Sequence, residues 1–461
     1  MKEAFDLAAL LQQNKSFSLR QQLSYVLRLS VPGILAQISS IVMQYIDAAM
    51  VGSLGAQASA AIGLVASSTW LFGGLCDAMS MGFAVQIAQA VGAGEKHKAK
   101  DILRQALVVC VLFSAVLAAA GIAISGILPR WLGGETAILP DATAYFFVFV
   151  AALPVFQTFF LLCAAMQCSG EMRIPGILNV AICVLDVAFN ALFIFALKMG
   201  VLGAALGSCA AVAVGTLAAI FFACVHSPVL SLRQKGTWLP DRNTLRAATK
   251  ISVPMGLEKL AMCGAYVMST KIIAPLGTVA IAAHSFAITA ESLCYMPGYG
   301  IGEAATTLVG QSIGARRTDL AKRFAWVTVA MGMCVMAAMG CVMYALSPAV
   351  FCFLTPDAAV QSLGVQVLRI ELWAEAFYAA SIVVSGALRG AGDTFVPSIM
   401  NLVSMWGVRL SLSAFLTPRM GLTGAWIAMA TELCFRGSIF LCRLQRGRWL
   451  KKNLPPSATT A

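Results

Sequence analysis

Four oxygen-bearing side chains stand in stretches otherwise suited to lipid. Asp47 lies near the end of LSVPGILAQISSIVMQYIDAAMVG, Asp186 and Asn190 are four apart in CVLDVAFNALF, and Ser208 follows in GAALGS. An ionised aspartate at the centre of a membrane helix costs roughly 2.5–3.5 kcal/mol on insertion scales, so its presence asks for a use. At about 1.5 Å per residue, Asp47 lies roughly 7 Å from the outer end of its helix, Ser208 roughly 9 Å, Asn190 roughly 11 Å and Asp186 roughly 17 Å. Residues four apart share a helix face, so Asp186 and Asn190 point the same way. Carboxylate, amide and hydroxyl oxygens are ligands that a hard cation such as Na+ accepts. A desolvated carboxylate is also a proton carrier. The chemistry admits either ion, and for Asp47 also a plain place near the interface.

The elements that must position these groups are membrane helices. Of 461 residues, 59% are hydrophobic and 11% charged, where a soluble globular chain carries about 25% charged residues. Apolar blocks fall at 24–52, 58–90, 106–128, 142–166, 175–197, 202–225, 252–274, 279–306, 324–347, 360–388, 396–417 and 422–442. Each has roughly the 20 residues that cross about 30 Å of hydrocarbon. The fold class is therefore an all-α polytopic membrane protein of twelve transmembrane helices.

Charge sets the orientation. The formal net charge of +12 is concentrated in alternate loops: the N-terminal tail (Lys2, Lys15, Arg20, Arg28), 92–105, 226–250, 311–323 and the tail after 442. The intervening loops carry only Arg130, Lys198 and Arg419. That asymmetry predicts a multi-pass protein of the inner (cytoplasmic) membrane with both termini in the cytoplasm. Basic segments without interleaved aromatics argue against a nucleic-acid partner. Glu3 and Asp6 interrupt any cleavable leader, so the first block is expected to be an uncleaved span. The fourteen cysteines show no CxxC spacing and indicate neither a disulfide framework nor a zinc site.

The chain is written twice. Shifted by 222 positions, Ser30-Val31-Pro32 meets Ser252-Val253-Pro254, Leu54-Gly55 meets Leu276-Gly277, and Gln89, Gly92 and Ala93 meet Gln311, Gly314 and Ala315. Gly170, Pro175 and Asn179 meet Gly392, Pro397 and Asn401 in the same register, which slips by one where Gly200 matches Gly421. Six spans per repeat is an even number, so the halves share one topology about an axis along the membrane normal, the parallel-repeat plan of several secondary transporters. The expected organisation is an N-terminal lobe over 1–225, a cytoplasmic inter-lobe linker over 226–250, a C-terminal lobe over 251–442 and a basic tail over 443–461. Asp47 faces Ser269 in the repeat, Asp186 faces Val408 and Asn190 faces Leu412. A scaffold requirement should recur in both halves, as the prolines and glycines do, so the polar group reads as functional.

The segments SVPG, IDAAMVGSLG, VGAGEKHKAK, APLGTVAIAAH, MPGYGIGEAATTLVGQSIGA and LRGAGDT resemble those of the MATE family (multidrug and toxic compound extrusion), over about 25 to 442. The second-half motifs are more similar to the prokaryotic DinF-like branch. The resemblance implies twelve spans in two six-helix lobes and an antiporter that exports organic, often cationic amphipathic, compounds against an inward flow of H+ or Na+. It places Asp47, fifteen residues after Pro32, at the family's first-helix coupling aspartate. The family's fifth-helix Asn-x-x-x-Asp pair is present with its members exchanged, as Asp186 and Asn190, and Ser208 replaces a threonine.

The second half holds acids of its own. Glu258, Glu291, Glu371 and Glu375 form the candidate second-lobe site, since other branches of the family use glutamates on spans seven, eight and ten. Arg409 and Glu432 lie at similar depths on consecutive spans and read as a structural ion pair. His284 reads as a hydrogen-bonded packing residue. Met43, Tyr45, Trp70, Trp373, Phe377 and Tyr378 are candidates for a cavity that takes varied hydrophobic cations.

The function these features support is a cation-coupled antiporter for small organic molecules, acting as a monomer in the bilayer. Two carboxylates close together in lipid are costly to keep charged. Beyond Asp47, Asp186, Asn190 and Ser208 no fifth protein oxygen is evident, where a hard cation takes about six. H+ is therefore favoured over Na+ as the coupling ion, with no other cofactor. A flippase for lipid-linked sugars is the alternative of the same broader fold, and a non-transport membrane protein is a more distant one. No Walker A or HExxH pattern supports an ATPase or a membrane-embedded enzyme.

Overall fold

The computed structural model describes Leu11 and residues 17–452, with side chains as far as Leu450. Lys2, Lys15 and the tail beyond Lys452 lie outside the described residues. The described residues are mostly helical and hold no strand, and the helices form twelve spans.

In the first half the spans are Leu19–Gly52, Ala56–Gly92, Lys96–Ser125, a fourth made of Leu139–Ala151 and Leu153–Cys168, then Arg173–Ala196 and Gly200–His226. In the second they are Arg242–Ile273, Thr278–Gly314, Thr318–Leu354, a tenth running from Ala358 to Gly390 through a 3-10 turn at Leu372–Ala374, then Phe395–Met420 and Leu422–Arg446. Among the described residues nine of these are long and apolar enough to cross a membrane as single helices, and the fourth is a tenth, bent by 48°. The bend falls where Pro154, which has no backbone N–H to donate, opens the second segment. The seventh span is long enough but more polar, carrying Glu258 and Lys259, and the tenth is interrupted, its helices Ala358–Glu371 and Glu375–Gly390 having 14 and 16 residues.

The internal repeat is visible in the turns. Gly55 and Gly277 open the second and eighth spans at φ 112° and 92°. Gly170 and Gly392 take φ 98° and 78°, and Gly200 and Gly421, one position out of register, take 58° and 61°. Gly94 at 79° is matched by Arg316 at 58°, a left-handed conformation that costs a non-glycine residue roughly 1–2 kcal/mol. At these four turns each half bends its backbone the same way, even where the side chain no longer matches.

Residues 38–256 form one compact unit, and residues 17–37 with 257–452 form the other. This differs from a division at 225 and 251: the N-terminal halves of the first and seventh spans count with the unit they pack against, not the one that follows them in the chain. Close helix approach is the reason. A Cβ on Gly33 would come 3.1 Å from the Gly300 carbonyl oxygen in the second unit. In the first unit a Cβ on Gly82 would strike Ser252 Oγ and come 2.7 Å from the Ala248 carbonyl oxygen.

The hydrophilic segment 226–250 is likewise fastened within the first unit. Arg104, almost fully buried, pairs through Nη1 with Asp101 Oδ1 at 2.6 Å and donates Nη2–H to the Gln234 carbonyl. Lys100 Nζ donates to Gln234 Oε1 at 3.0 Å, and the Asp241 amide donates to Gln105 Oε1 at 3.1 Å. What reads as a linker is a docked element.

Candidate ion-coupling site

Asp47 sits near the end of the first span, Asp186 and Asn190 end the α-helical part of the fifth, and the backbone after Asn190 widens into a π-helical turn over Ala191–Ala196. Such turns insert an extra residue and re-aim the helix, frequently at functional sites. Here the turn follows directly on the residue that joins the acids. Asn190 Nδ2 donates to Asp47 Oδ1 at 2.9 Å and to Asp186 Oδ2 at 3.0 Å. The two carboxyl groups also lie within side-chain hydrogen-bond reach of each other. Asp186 and Asn190 are each 1% exposed, while Asp47 is half-buried.

Both N–H donors of one amide are thus committed to two carboxyl groups, and Asn190 Oδ1 is buried without a hydrogen-bond partner. Gly207 explains the close fit: a Cβ there would overlap Asn190 Oδ1. Ser208, one residue further on, is turned about 100° around its helix and makes no hydrogen bond to the trio. Three of the four sequence candidates therefore come together, and the sixth span contributes a glycine rather than the serine. Sequence reasoning missed Tyr145 on the fourth span, whose phenol lies within electrostatic reach of Asp47 and Asp186. A lone tyrosine in the run ATAYFFVF was the available signal.

The second-lobe candidates separate into two groups. Glu371 and Glu375 are fully buried, Glu291 is 3% exposed, and the three act on one another electrostatically. None of the oxygens of Glu371 and Glu375 has a hydrogen-bond partner. Glu258 stands apart, accepting from Ser398 Oγ and Asn401 Nδ2, both at 2.6 Å. Among the described residues no three or more His, Cys, Asp or Glu side chains are arranged to hold a metal ion.

The pairing of Arg409 with Glu432 is corrected. Glu432 Oε1 lies 3.1 Å from Arg436 Nε and accepts from Ser404 Oγ. Arg436 is four residues on along the same helix, hence one turn away on the same face, and reaches Glu432 first. Arg409 instead falls in a π-helical segment, Val403–Leu410, with Nη2 2.8 Å from Met429 Sδ. His284 Nδ1 accepts from Trp426 Nε1 at 3.2 Å.

The cavity candidates are divided, with Met43, Tyr45 and Trp70 in the first unit and Trp373, Phe377 and Tyr378 in the second. Within the second they do not face one space. Trp373 is 78% exposed and meets Tyr344 edge-on, while Tyr378 packs against Tyr295 and under the Arg436 guanidinium. A cavity of about 540 Å³ in the first unit is lined by Arg130, Leu139, Thr143, Phe147 and neighbours, and includes none of these residues.

A bundle of twelve spans written as two parallel repeats, with desolvated carboxyl groups gathered on one amide inside the first, has the build of a secondary transporter. The MatE family model matches residues 32–192 and again 254–415, reproducing the 222-residue shift. The chain belongs to the MatE family. It is 26% identical over 439 residues to a probable multidrug resistance protein NorM of Thermotoga maritima, covering 93% of each chain. It is 27% identical over 455 residues to the multidrug resistance protein MdtK of Edwardsiella ictaluri, covering 93% of this chain and 95% of that one. The fold matches a solved multidrug resistance MATE transporter of the MOP superfamily with a TM-score of 0.88, at 19% identity over 96% of this chain and 98% of that one. It also matches a MOP superfamily transporter from Pyrococcus furiosus with a TM-score of 0.87, at 18% identity over 95% and 100% of the two chains. The protein is a multi-pass membrane transporter, not an enzyme.

Proposed function

We propose that this chain is a proton-coupled multidrug antiporter of the bacterial cytoplasmic membrane that exports organic compounds, cationic amphipathic ones among them, with both termini in the cytoplasm. The relatives named NorM and MdtK support the multidrug reading, and the alternation of basic loops supports the orientation. The observation that carries the coupling reading is the amide of Asn190 donating to Asp47 and Asp186 together. An amide aimed nitrogen-first at two carboxyl groups suits acids that take up and release protons. A bridging Na+ would need oxygens on that side, so the amide would have to turn over.

In this reading a proton from outside neutralises one carboxyl of the pair. The proton removes the repulsion between Asp47 and Asp186, and the neutral acid hydrogen-bonds to the other. The Asn190 hydrogen bond to Asp47 then loses its charge assistance, worth about 1 kcal/mol or more. The lost repulsion and the new acid–carboxylate hydrogen bond outweigh that loss, so the outer half of the first span is drawn toward the fifth, which changes the surface it offers to substrate. Glu291, Glu371 and Glu375 form a second proton-accepting group in the second unit, and Glu258 stays outside it.

A flippase for lipid-linked sugars would call for a basic interior. Four buried carboxyl groups against Arg409 and Arg436 in the second unit favour drug export instead. The test is substrate export from Na+-free proteoliposomes with an imposed pH gradient. Export that follows the pH gradient is expected. Export that needs Na+ and ignores pH overturns the coupling assignment, and no export of any organic cation under either gradient overturns the function.

A further inference from the structure

The crevice of about 540 Å³ in the first unit lies at the end opposite the basic loops and takes no part in the coupling site. Its size falls within the roughly 300–1,000 Å³ of ligand pockets. Three spans wall it. Gly126 closes the third, Arg130 follows in the short helix Leu128–Trp131, one side of the fourth runs past from Leu139 to Val148, and Leu202 begins the sixth.

Two polar groups on this wall have no partner. Among the described residues the Arg130 side chain makes no hydrogen bond or ion pair, and the Thr143 hydroxyl has no acceptor. A helical threonine can give its proton to a carbonyl one turn back, as Thr158 does to Pro154 at 2.8 Å and Thr216 to Val212 at 2.7 Å. Thr143 does not. The rest of the wall is apolar or glycine, Phe147 being 44% exposed, and no acid lines it.

From Leu139 to Val148 the fourth span descends roughly 14 Å, close to the roughly 15 Å of hydrocarbon in one leaflet. The guanidinium stands at the level of the helix ends, where head groups lie, and the apolar wall runs inward from it. A planar guanidinium with free donors takes a phosphate through two parallel hydrogen bonds. Thr143, one turn further in than Leu139, is at the level of the ester carbonyls that join head group to chain. No acid is present to receive an ammonium group, so a head group without one fits better.

The repeat supplies a contrast. At the shift of 222, Arg130 meets Cys352 and Thr143 meets Val365, in a register that also sets Ala152 at the bend of the fourth span on Ala374 in the 3-10 turn of the tenth. The scaffold recurs and the polar pair does not. Ala144 and Val148 of the crevice stand on the same short helical segment as Tyr145, whose phenol is near Asp47 and Asp186. An occupant would brace that segment.

We infer that this crevice binds an anionic phospholipid, its phosphate on Arg130, an ester carbonyl on the Thr143 hydroxyl and an acyl chain along Leu139, Phe147 and Val148. On the proposed orientation the lipid comes from the outer leaflet, while the site itself stands apart from transport.

The experiment titrates delipidated protein in neutral detergent with phosphatidylglycerol, with phosphatidylcholine of the same chains, or with glycerol phosphate, and follows the melting temperature. A ligand of the folded state raises it according to occupancy. Wild type should respond to phosphatidylglycerol at about tenfold lower concentration than to phosphatidylcholine, and not at all to glycerol phosphate. Arg130→Gln should abolish the preference between the two lipids. Gly126→Phe should abolish the response to both, since its φ of −75° suits any residue and nothing lies within 4 Å of the added carbon, which leaves the ring to fill the mouth. Arg419→Gln, at an exposed arginine on the same side of the other half, should change nothing. Equal response of wild type to both lipids, a preference that survives Arg130→Gln, or the same loss in Arg419→Gln overturns the site. A response to glycerol phosphate as strong as to the lipid would make it a simple anion site and overturns the lipid. Export plays no part in the readout, so a failure of the transport reading leaves these outcomes unchanged.

Discussion

Asn190 Nδ2 lies 2.9 Å from Asp47 Oδ1, joining two spans that are 143 residues apart in the chain. The same nitrogen holds Asp186 one turn earlier on its own helix. The two acids are thus joined by a donor that serves both, and a change at any of the three reaches the other two.

Asp47→Asn and Asp186→Asn should each reduce gradient-driven efflux by roughly tenfold or more while the protein still reaches the membrane. An amide keeps the shape and can hydrogen-bond Asn190, but it cannot carry a proton. The measurement is export by reconstituted variants, normalised to protein in the vesicles. Normal export by both would move the coupling role to Glu291, Glu371 and Glu375.

Gly207→Ala should disturb the same site without touching a carboxylate. Its new methyl overlaps Asn190 Oδ1 and comes 2.9 Å from the Asn190 backbone nitrogen, which cannot move aside. Overpacking of this kind costs about 1–3 kcal/mol. Gly63→Ala is the control, since nothing lies within 4 Å of the added carbon. A lowered melting temperature and lost export are expected for Gly207→Ala and neither for Gly63→Ala. Equal behaviour of the two variants would mean that the sixth span does not press on Asn190.

Glu432→Gln should destabilise the protein by about 3–5 kcal/mol, because it leaves Arg436 buried without its countercharge. Arg409→Gln should leave the melting temperature near that of wild type, since Arg409 has no carboxylate partner to orphan. Thermal unfolding in detergent separates the two. A collapse of Arg409→Gln matching that of Glu432→Gln would mean the arginines share the acid.

The twelve spans, the repeat and the gathering of Asp47, Asp186 and Asn190 were legible because each rests on local chemistry. Apolar length dictates a span, turn glycines at φ 112° and 92° mark Gly55 and Gly277 in register, and residues four apart share a face. What the sequence could not supply is rotation about a helix axis once the helix departs from 3.6 residues per turn. The π turn over Val403–Leu410 carries Arg409 past Glu432, and no propensity in VSMWGVRL announces it. Ser208 failed for a similar reason. The helix face that meets Asn190 needs no side chain at all, so the residue that matters is the glycine beside it. The boundary between the units was hidden too, because it cuts through the first and seventh spans, where nothing in composition changes.

The last prediction concerns Asn190 and the identity of the ion. If the trio is built for protons, wild type has no Na+ site there, and its melting temperature should respond equally to NaCl and KCl. Asn190→Asp replaces the shared donor by a third carboxylate, leaving Asp47 and Asp186 facing a negative charge instead of an N–H pair. That arrangement is costly unless a cation enters, and three carboxyl groups supply the oxygens that a hard cation accepts. The variant should therefore gain a Na+-specific rise in stability, about 1.4 kcal/mol at a Na+ concentration ten times its dissociation constant. It should also lose export driven by pH alone. Asn190→Leu, which removes the donor without adding an acid, should lose export and show no preference for Na+. Wild type stabilised by NaCl over KCl, with the preference abolished in Asp47→Asn, would show that the amide turns over to receive Na+ and that the site is a sodium site after all.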